Sequence, residues 1–201
     1  MRFAKRVGEV PEYLFSQITR KIAAKEAKGI EVISFGIGDP DQPTPDHVLS
    51  ALRRASSEPS YHRYPETNGM PEFRDAVANW YLRRFGVSLD PESEVVSLIG
   101  AKEGIGHVSL CFINPGDTAL IPNPGYPIYS AGTVFAGGNA HWMPLKDENG
   151  WLPDVGAIPT RVANEARVMW LNYPNNPTGA VAGIDFFDRV VTFAKKHNII
   201  V

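Results

Sequence analysis

Asp117-Thr118-Ala119-Leu120-Ile121-Pro122-Asn123-Pro124-Gly125-Tyr126-Pro127 is the stretch on which the fold turns. Its first half is a short apolar run, the pattern of a strand buried on both faces. Its second half is rich in Pro and Gly, which cannot continue that strand. A helical pattern then covers residues 126–136. A strand thus passes through a tight loop into a helix, and the flanking sequence repeats the unit. Residues 94–99 read as a strand and 102–113 as a helix. Residues 139–143 and 167–172 read as strands, 153–166 as an irregular helical stretch and 184–197 as a helix. Strands alternating with helices predict an α/β fold with three α/β/α layers around a mostly parallel sheet.

Upstream the pattern is helical. Leu14, Ile18 and Ile22 recur at helical spacing within 11–28, and Gly29 is the stop. Residues 31–35 are a short strand candidate. Thr44 then Pro45 reads as a cap followed by Pro at the first helical position, starting a helix that runs to about residue 55. Pro71 opens another, with Phe73, Val77, Trp80 and Tyr81 on one face and Gly86 at its end. The final Asn198-Ile199-Ile200-Val201 begins a further strand. Core strands rarely open at a domain's end, so the expectation is a truncated domain; a complete short edge strand is the alternative.

The 20 basic and 22 acidic residues are spread along the chain without a basic block, which argues against nucleic acid as a partner. Met1-Arg2-Phe3-Ala4-Lys5-Arg6 is basic but no apolar stretch follows, so no signal peptide is read. No apolar run has bilayer-spanning length. The expected location is cytoplasmic, with no membrane partner. Cys111 stands alone in the apolar run 108–113 and reads as a small buried hydrophobe rather than a nucleophile. The histidines at 47, 62, 107, 141 and 197 are scattered, and no metal site is expected.

Ligands of parallel α/β sheets bind beyond the carboxyl ends of the strands. One such end is Gly100-Ala101-Lys102-Glu103-Gly104-Ile105-Gly106, where helix N–H groups and Lys102 would suit a phosphate. By itself it reads equally as an ordinary tight strand–helix turn. Its spacing is neither the dinucleotide nor the P-loop pattern. A second end delivers Tyr126, which would stack on a planar ligand or pack beneath the Pro-rich loop. A third is Asn172-Tyr173-Pro174-Asn175-Asn176-Pro177-Thr178-Gly179. Asn176 would bond a ligand oxygen, or serve only a turn.

Together these segments resemble the class I/II, fold-type-I, aminotransferases that use pyridoxal 5'-phosphate (PLP). Asn-Pro-Thr-Gly at 176–179 looks like that family's signature. In family order, Gly36-Ile37-Gly38-Asp39-Pro40-Asp41 with Pro43-Thr44-Pro45 resembles the N-terminal glycine turn. Tyr64-Pro65-Glu66-Thr67-Asn68-Gly69-Met70-Pro71-Glu72-Phe73-Arg74 resembles the Tyr…Gly-x-x-x-[LF]-R element. Gly100-Ala101-Lys102-Glu103-Gly104 resembles the phosphate cup, and Asn114-Pro115-Gly116-Asp117 and the segment 122–127 complete the set.

The resemblance implies a large domain of the PLP-dependent transferase type, over 46–201 and incomplete, behind an N-terminal arm and small-domain segment at 1–45. It implies that Ala101 and Lys102 hold the cofactor phosphate through their amides, that Tyr126 stacks on the pyridine ring and that Asn176 bonds its phenolic oxygen. Tyr64 would reach the phosphate of the other subunit, implying a homodimer with shared sites. Tyr13 and the Gly38 backbone would line the substrate site. The reaction implied moves an amino group between an amino acid and a 2-oxo acid. The Schiff-base lysine and the aspartate facing the pyridine nitrogen are expected beyond Val201, so no catalytic residue is assigned here. No Ser-Lys or Thr-Lys dipeptide occurs, and Lys195 and Lys196 read as a solvated helix face. The 201 residues alone are therefore expected to be inactive.

The cup departs from the hydroxyl-bearing form of many aspartate-type members. With Tyr13-Leu14-Phe15 it is similar to the LL-diaminopimelate aminotransferase branch. Three alternatives stand beside transamination: a C–S lyase of the same fold, a non-catalytic remnant or PLP-binding module, and a nucleotide-binding protein using 100–106. The last has no acidic ribose partner.

Overall fold

The computed structural model describes residues 2–36, 38 and 40–201. Ile37 and Asp39 of the glycine turn, and Met1, lie outside the described residues. The chain forms two compact units: Glu12–Leu98, and Ile99–Val201 with the segment ending at Pro11.

In the unit Glu12–Leu98, α1 spans Leu14–Glu26. Ile18 and Ile22 line a cavity of about 400 Å³ with Val32. Gly29, at φ 75, ends the helix, where its N–H donates to Glu26 O at 2.8 Å. The strand expected at 31–35 does not form. No strand pairs with it among the described residues, and Phe35 is 96% exposed. Helix α2 covers Asp46–Ser56 with Pro45 at its cap. It starts one residue later than expected, and no side-chain bond caps it.

Helix α3 covers Pro71–Phe85, opened by Pro71 and closed by Gly86 in the left-handed conformation. Its buried positions are Arg74 and Ala78, one turn apart. The expected aromatic face is instead open, with Phe73 50% and Trp80 48% exposed. The helix is held by its polar buried edge. Arg74 Nε donates to Gly69 O at 3.2 Å and Nη1 to Pro91 O at 2.7 Å. The strand expected at 94–99 is also absent. Ser97 N–H donates to Asn68 O at 2.9 Å, a single loop bond in place of a ladder.

The unit Ile99–Val201 holds the sheet. Helix α4 is Ala101–Phe112, followed by β1 (Thr118–Asn123), α5 (Ile128–Phe135), β2 (Asn139–Pro144), α6 (Thr160–Glu165), β3 (Ala166–Met169) and α7 (Ile184–His197). The strand order is β2-β1-β3, and both pairings are parallel. The central β1 alternates between two apolar layers. Leu120 packs with Met143, Met169, Phe186 and Val190. Ala119 and Ile121 pack with Ile113, Tyr129 and Val168 on the opposite side. Helices cover both faces, so the expected three-layer α/β/α order with a parallel sheet is what forms.

Two readings need correction here. The strand expected over 167–172 ends at Met169, because Trp170 N–H makes the last bond to β1, to Leu120 O at 2.9 Å, before the loop departs. The segment 198–201 contributes one parallel bridge, Val168 to Ile200. Cys111 is exposed rather than buried. Helix α4 meets α5 through Ser109 and Gly106, which leaves Leu110, Cys111 and Phe112 facing outward. A Cβ on Gly132 would lie 2.7 Å from Ser109 Oγ, so the two helices pass at glycine distance.

Candidate functional site

The loops after β1 and β3, and the start of α4, carry the residues singled out above. Gly100 caps α4 at φ 79, with open space where a side chain would be. The Glu103 side chain reaches back to accept from Ile99 N–H at 2.6 Å. This resembles the return half of a capping box, displaced by one residue to the N–H before the Gly100 cap. Sequence reading missed it because the cap residue is Gly, not Ser or Thr. The bond ties the loop to the helix and sets the N–H groups of Ala101 and Lys102 at the positive end of the helix dipole.

Lys102 Nζ lies 5.7 Å from the centroid of the Tyr126 ring. The structure therefore brings together the start of α4 and the loop after β1, although 24 positions separate them in the numbering. Tyr126 is half-buried, and its ring meets Tyr129 edge-on at 6.0 Å. Tyr129 stacks on Trp170 at 5.3 Å and 13°. Burial, and then the neighbouring Tyr126, hold the Tyr129 hydroxyl above the usual phenol range. Trp170 Nε1 is buried and finds no acceptor among the described residues. Tyr126 is thus backed by a stack of aromatic rings reaching into the core, a support that composition did not reveal.

The loop after β3 separates its two adjacent asparagines. Asn175 is 4% exposed and serves the turn: Nδ2 donates to Thr178 Oγ1 at 2.9 Å, and its carbonyl accepts from Gly179 N–H at 2.7 Å. Asn176 is exposed. Its N–H donates to Asn172 Oδ1 at 3.1 Å, and its side-chain amide makes no hydrogen bond among the described residues. Tyr173, on the same loop, donates its hydroxyl to Trp151 O at 3.0 Å, and burial pushes that hydroxyl up to about 12.

Tyr13, Gly38 and Tyr64 belong to the unit Glu12–Leu98. The Tyr13 ring lies 5.3 Å from that of Phe15. Gly38 is exposed. Tyr64 is fully exposed, at the head of the loop that Arg74 anchors through Gly69. Among the described residues no cluster of His, Cys, Asp or Glu could hold a metal ion.

The donor set in the second unit suits one kind of ligand. Helix N–H groups and an ammonium match a phosphate-sized anion, and the adjoining half-buried ring offers a face to a planar heterocycle.

The chain matches the family model described as aminotransferase class I and II over residues 30–201. It is 56% identical to an LL-diaminopimelate aminotransferase of Dehalococcoides mccartyi over 201 residues, covering 100% of this chain and 52% of that protein. Apo-BacF from Bacillus subtilis superposes with a TM-score of 0.92 at 44% identity, covering 99% of this chain and 51% of that one. An aspartate aminotransferase mutant of Thermus thermophilus superposes with a TM-score of 0.90 at 28% identity, covering 99% and 52%. The chain spans about half the length of the curated relatives it matches.

Proposed function

Since this chain belongs to the class I and II aminotransferase family, we propose that it carries the cofactor cup of a PLP-dependent transaminase. In this proposal an amino group moves between an amino acid and a 2-oxo acid. The 50–57% identity to proteins named LL-diaminopimelate aminotransferase supports LL-diaminopimelate as the amino donor. The observation that carries the reading is the juxtaposition of the α4 start with Tyr126, Lys102 Nζ being 5.7 Å from its ring.

Each residue has a role in this proposal. The amides of Ala101 and Lys102 donate to the cofactor phosphate, and the Lys102 ammonium balances its charge. Gly100 keeps the approach clear of a side chain. Tyr126 covers one face of the pyridine ring, held in place by Tyr129 and Trp170. The Asn176 amide donates to the phenolic oxygen, while Asn175 keeps the turn in shape. PLP, when bound, supplies an electron-withdrawing ring that weakens the bonds at the amino acid Cα. Tyr13 and the Gly38 backbone line the substrate site, and Tyr64 serves the phosphate of a second subunit in a homodimer. The arm and small-domain segment at 1–45, the large domain from 46 and a cytoplasmic location belong to the same proposal. No helix among the described residues is long and apolar enough to cross a membrane.

Equilibrium dialysis of the 201-residue chain against PLP tests the cup. The expected result is saturable binding, competed by inorganic phosphate and weakened about tenfold or more in Tyr126→Ala. Binding that ignores both Tyr126→Ala and phosphate would overturn the assignment. Amino transfer from LL-diaminopimelate by the full-length protein tests the reaction. Elimination from a thioether amino acid in its place would favour the lyase alternative.

A further inference from the structure

A separate cavity of about 460 Å³ opens in the unit Ile99–Val201. Its lining includes none of Ala101, Lys102, Tyr126 and Asn176. Leu152, Val155 and Phe186 line it and belong to the apolar layer that packs on Leu120 and Met169. Its volume lies within the range of small-molecule sites.

Two opposite charges line this same cavity, Asp154 and Arg189. Among the described residues they form no ion pair with each other or with any third group. Asp154 Oδ1 accepts from Gly156 N–H at 2.9 Å, which orients the carboxylate and leaves Oδ2 open. The Arg189 guanidinium makes no hydrogen bond among the described residues. Asn149 adds an amide to the same lining.

An anion and a cation that share a cavity without pairing complement a ligand carrying both charges. The apolar floor calls for an apolar side chain on that ligand. A phosphate ester or a nucleotide would satisfy Arg189 and be repelled by Asp154. An amine would do the reverse. We propose that this cavity binds a free α-amino acid with an apolar side chain, its carboxylate on Arg189 and its ammonium on Asp154. The site is additional to the proposed PLP cup and does not depend on it.

Isothermal titration of the 201-residue chain with L-leucine, in PLP-free buffer, tests the site. Saturable one-site binding is expected. Arg189→Gln and Asp154→Asn should each weaken it roughly tenfold or more, with an unchanged circular dichroism spectrum. Asn at 154 can still accept from Gly156 N–H, so the turn is kept. Removing one charge from the ligand should do the same, so 4-methylpentanoate and 3-methylbutylamine should bind roughly tenfold more weakly or worse. Tyr126→Ala should leave the titration unchanged, which separates this site from the cup. Absence of saturable binding by the folded chain overturns the proposal. So does binding that survives either charge substitution, and so does loss of binding in Tyr126→Ala.

Discussion

Arg74 is a buried guanidinium whose removal can be costed bond by bond. It is 2% exposed and sits between two loops of its own unit. Replacement by Met keeps much of the apolar stem and deletes the guanidinium. Two backbone carbonyls, Gly69 O at 3.2 Å and Pro91 O at 2.7 Å, then lose a charged donor. Hydrogen bonds to a charged group contribute about 1.5–3 kcal/mol each. The carboxylates at 3.2 and 3.7 Å belong to Glu92 and Glu66, whose side chains are 72% and 60% exposed. They rehydrate when Arg74 leaves, so their share is at most about 1 kcal/mol. Arg74→Met should therefore cost about 3–7 kcal/mol, a large part of the ~5–15 kcal/mol that holds a domain folded. Urea unfolding measures the total. Amide exchange at Ser97, whose N–H bonds Asn68 O, reports whether the loop before α3 has come loose. Lys at position 74 should recover less than half of the loss, since one ammonium cannot reproduce the guanidinium fork. A loss under about 1 kcal/mol, with Ser97 protection intact, would refute the reasoning.

The adjacent asparagines should behave oppositely. Asn175→Ala strips the Thr178 contact from a buried turn and should cost about 1–3 kcal/mol in thermal unfolding, whereas Asn176→Ala should leave the melting temperature within about 1 °C. Gly132→Ala pushes a Cβ toward Ser109 Oγ, 2.7 Å away, and should destabilise by about 1–3 kcal/mol; Ser109→Gly in the same chain should restore part of it in the same melting assay. Tyr173 supplies a pH dependence. Its folded value, about 12, stands above the 10.0 of a free phenol, so the folded state holds its proton longer than the unfolded state does. The stabilisation is complete below pH 10 and is lost as pH rises toward 12. Denaturant midpoints taken across that window should fall, and Tyr173→Phe should flatten the fall.

Much of the molecule was legible in the order of its residues. The run 119–121 is apolar without interruption and is bounded by turn residues, which suits a strand covered on both faces, so the parallel α/β core followed from pattern. Pro71 opens a helix because its fixed φ suits the first turn, and Gly29 and Gly86 close helices because glycine enters the left-handed region without a side-chain clash. The motif residues of the strand-end loops were legible for a similar reason. Turns such as 122–127 and 174–179 restrict which residue types fit, so the types betray the loop.

What pattern could not decide was partnership. Residues 31–35 and 94–99 have strand composition, yet a strand exists only when another backbone lies beside it, and none does among the described residues. The apolar spacing on α3 grouped Phe73 and Trp80 on one face, but Arg74 and Ala78 are the buried positions, and carbonyls from the loops on either side of the helix converge on Arg74. Asn175 and Asn176 are the same residue type in consecutive positions, and only the folded turn makes one a structural pin and leaves the other exposed. The approach of Lys102 to Tyr126, and of Asp154 and Arg189 to one cavity, belongs to the same class. Sequence determines what each segment prefers along its own backbone. Which side chains meet across the chain is settled by packing, where loop paths and buried surface from distant segments add together.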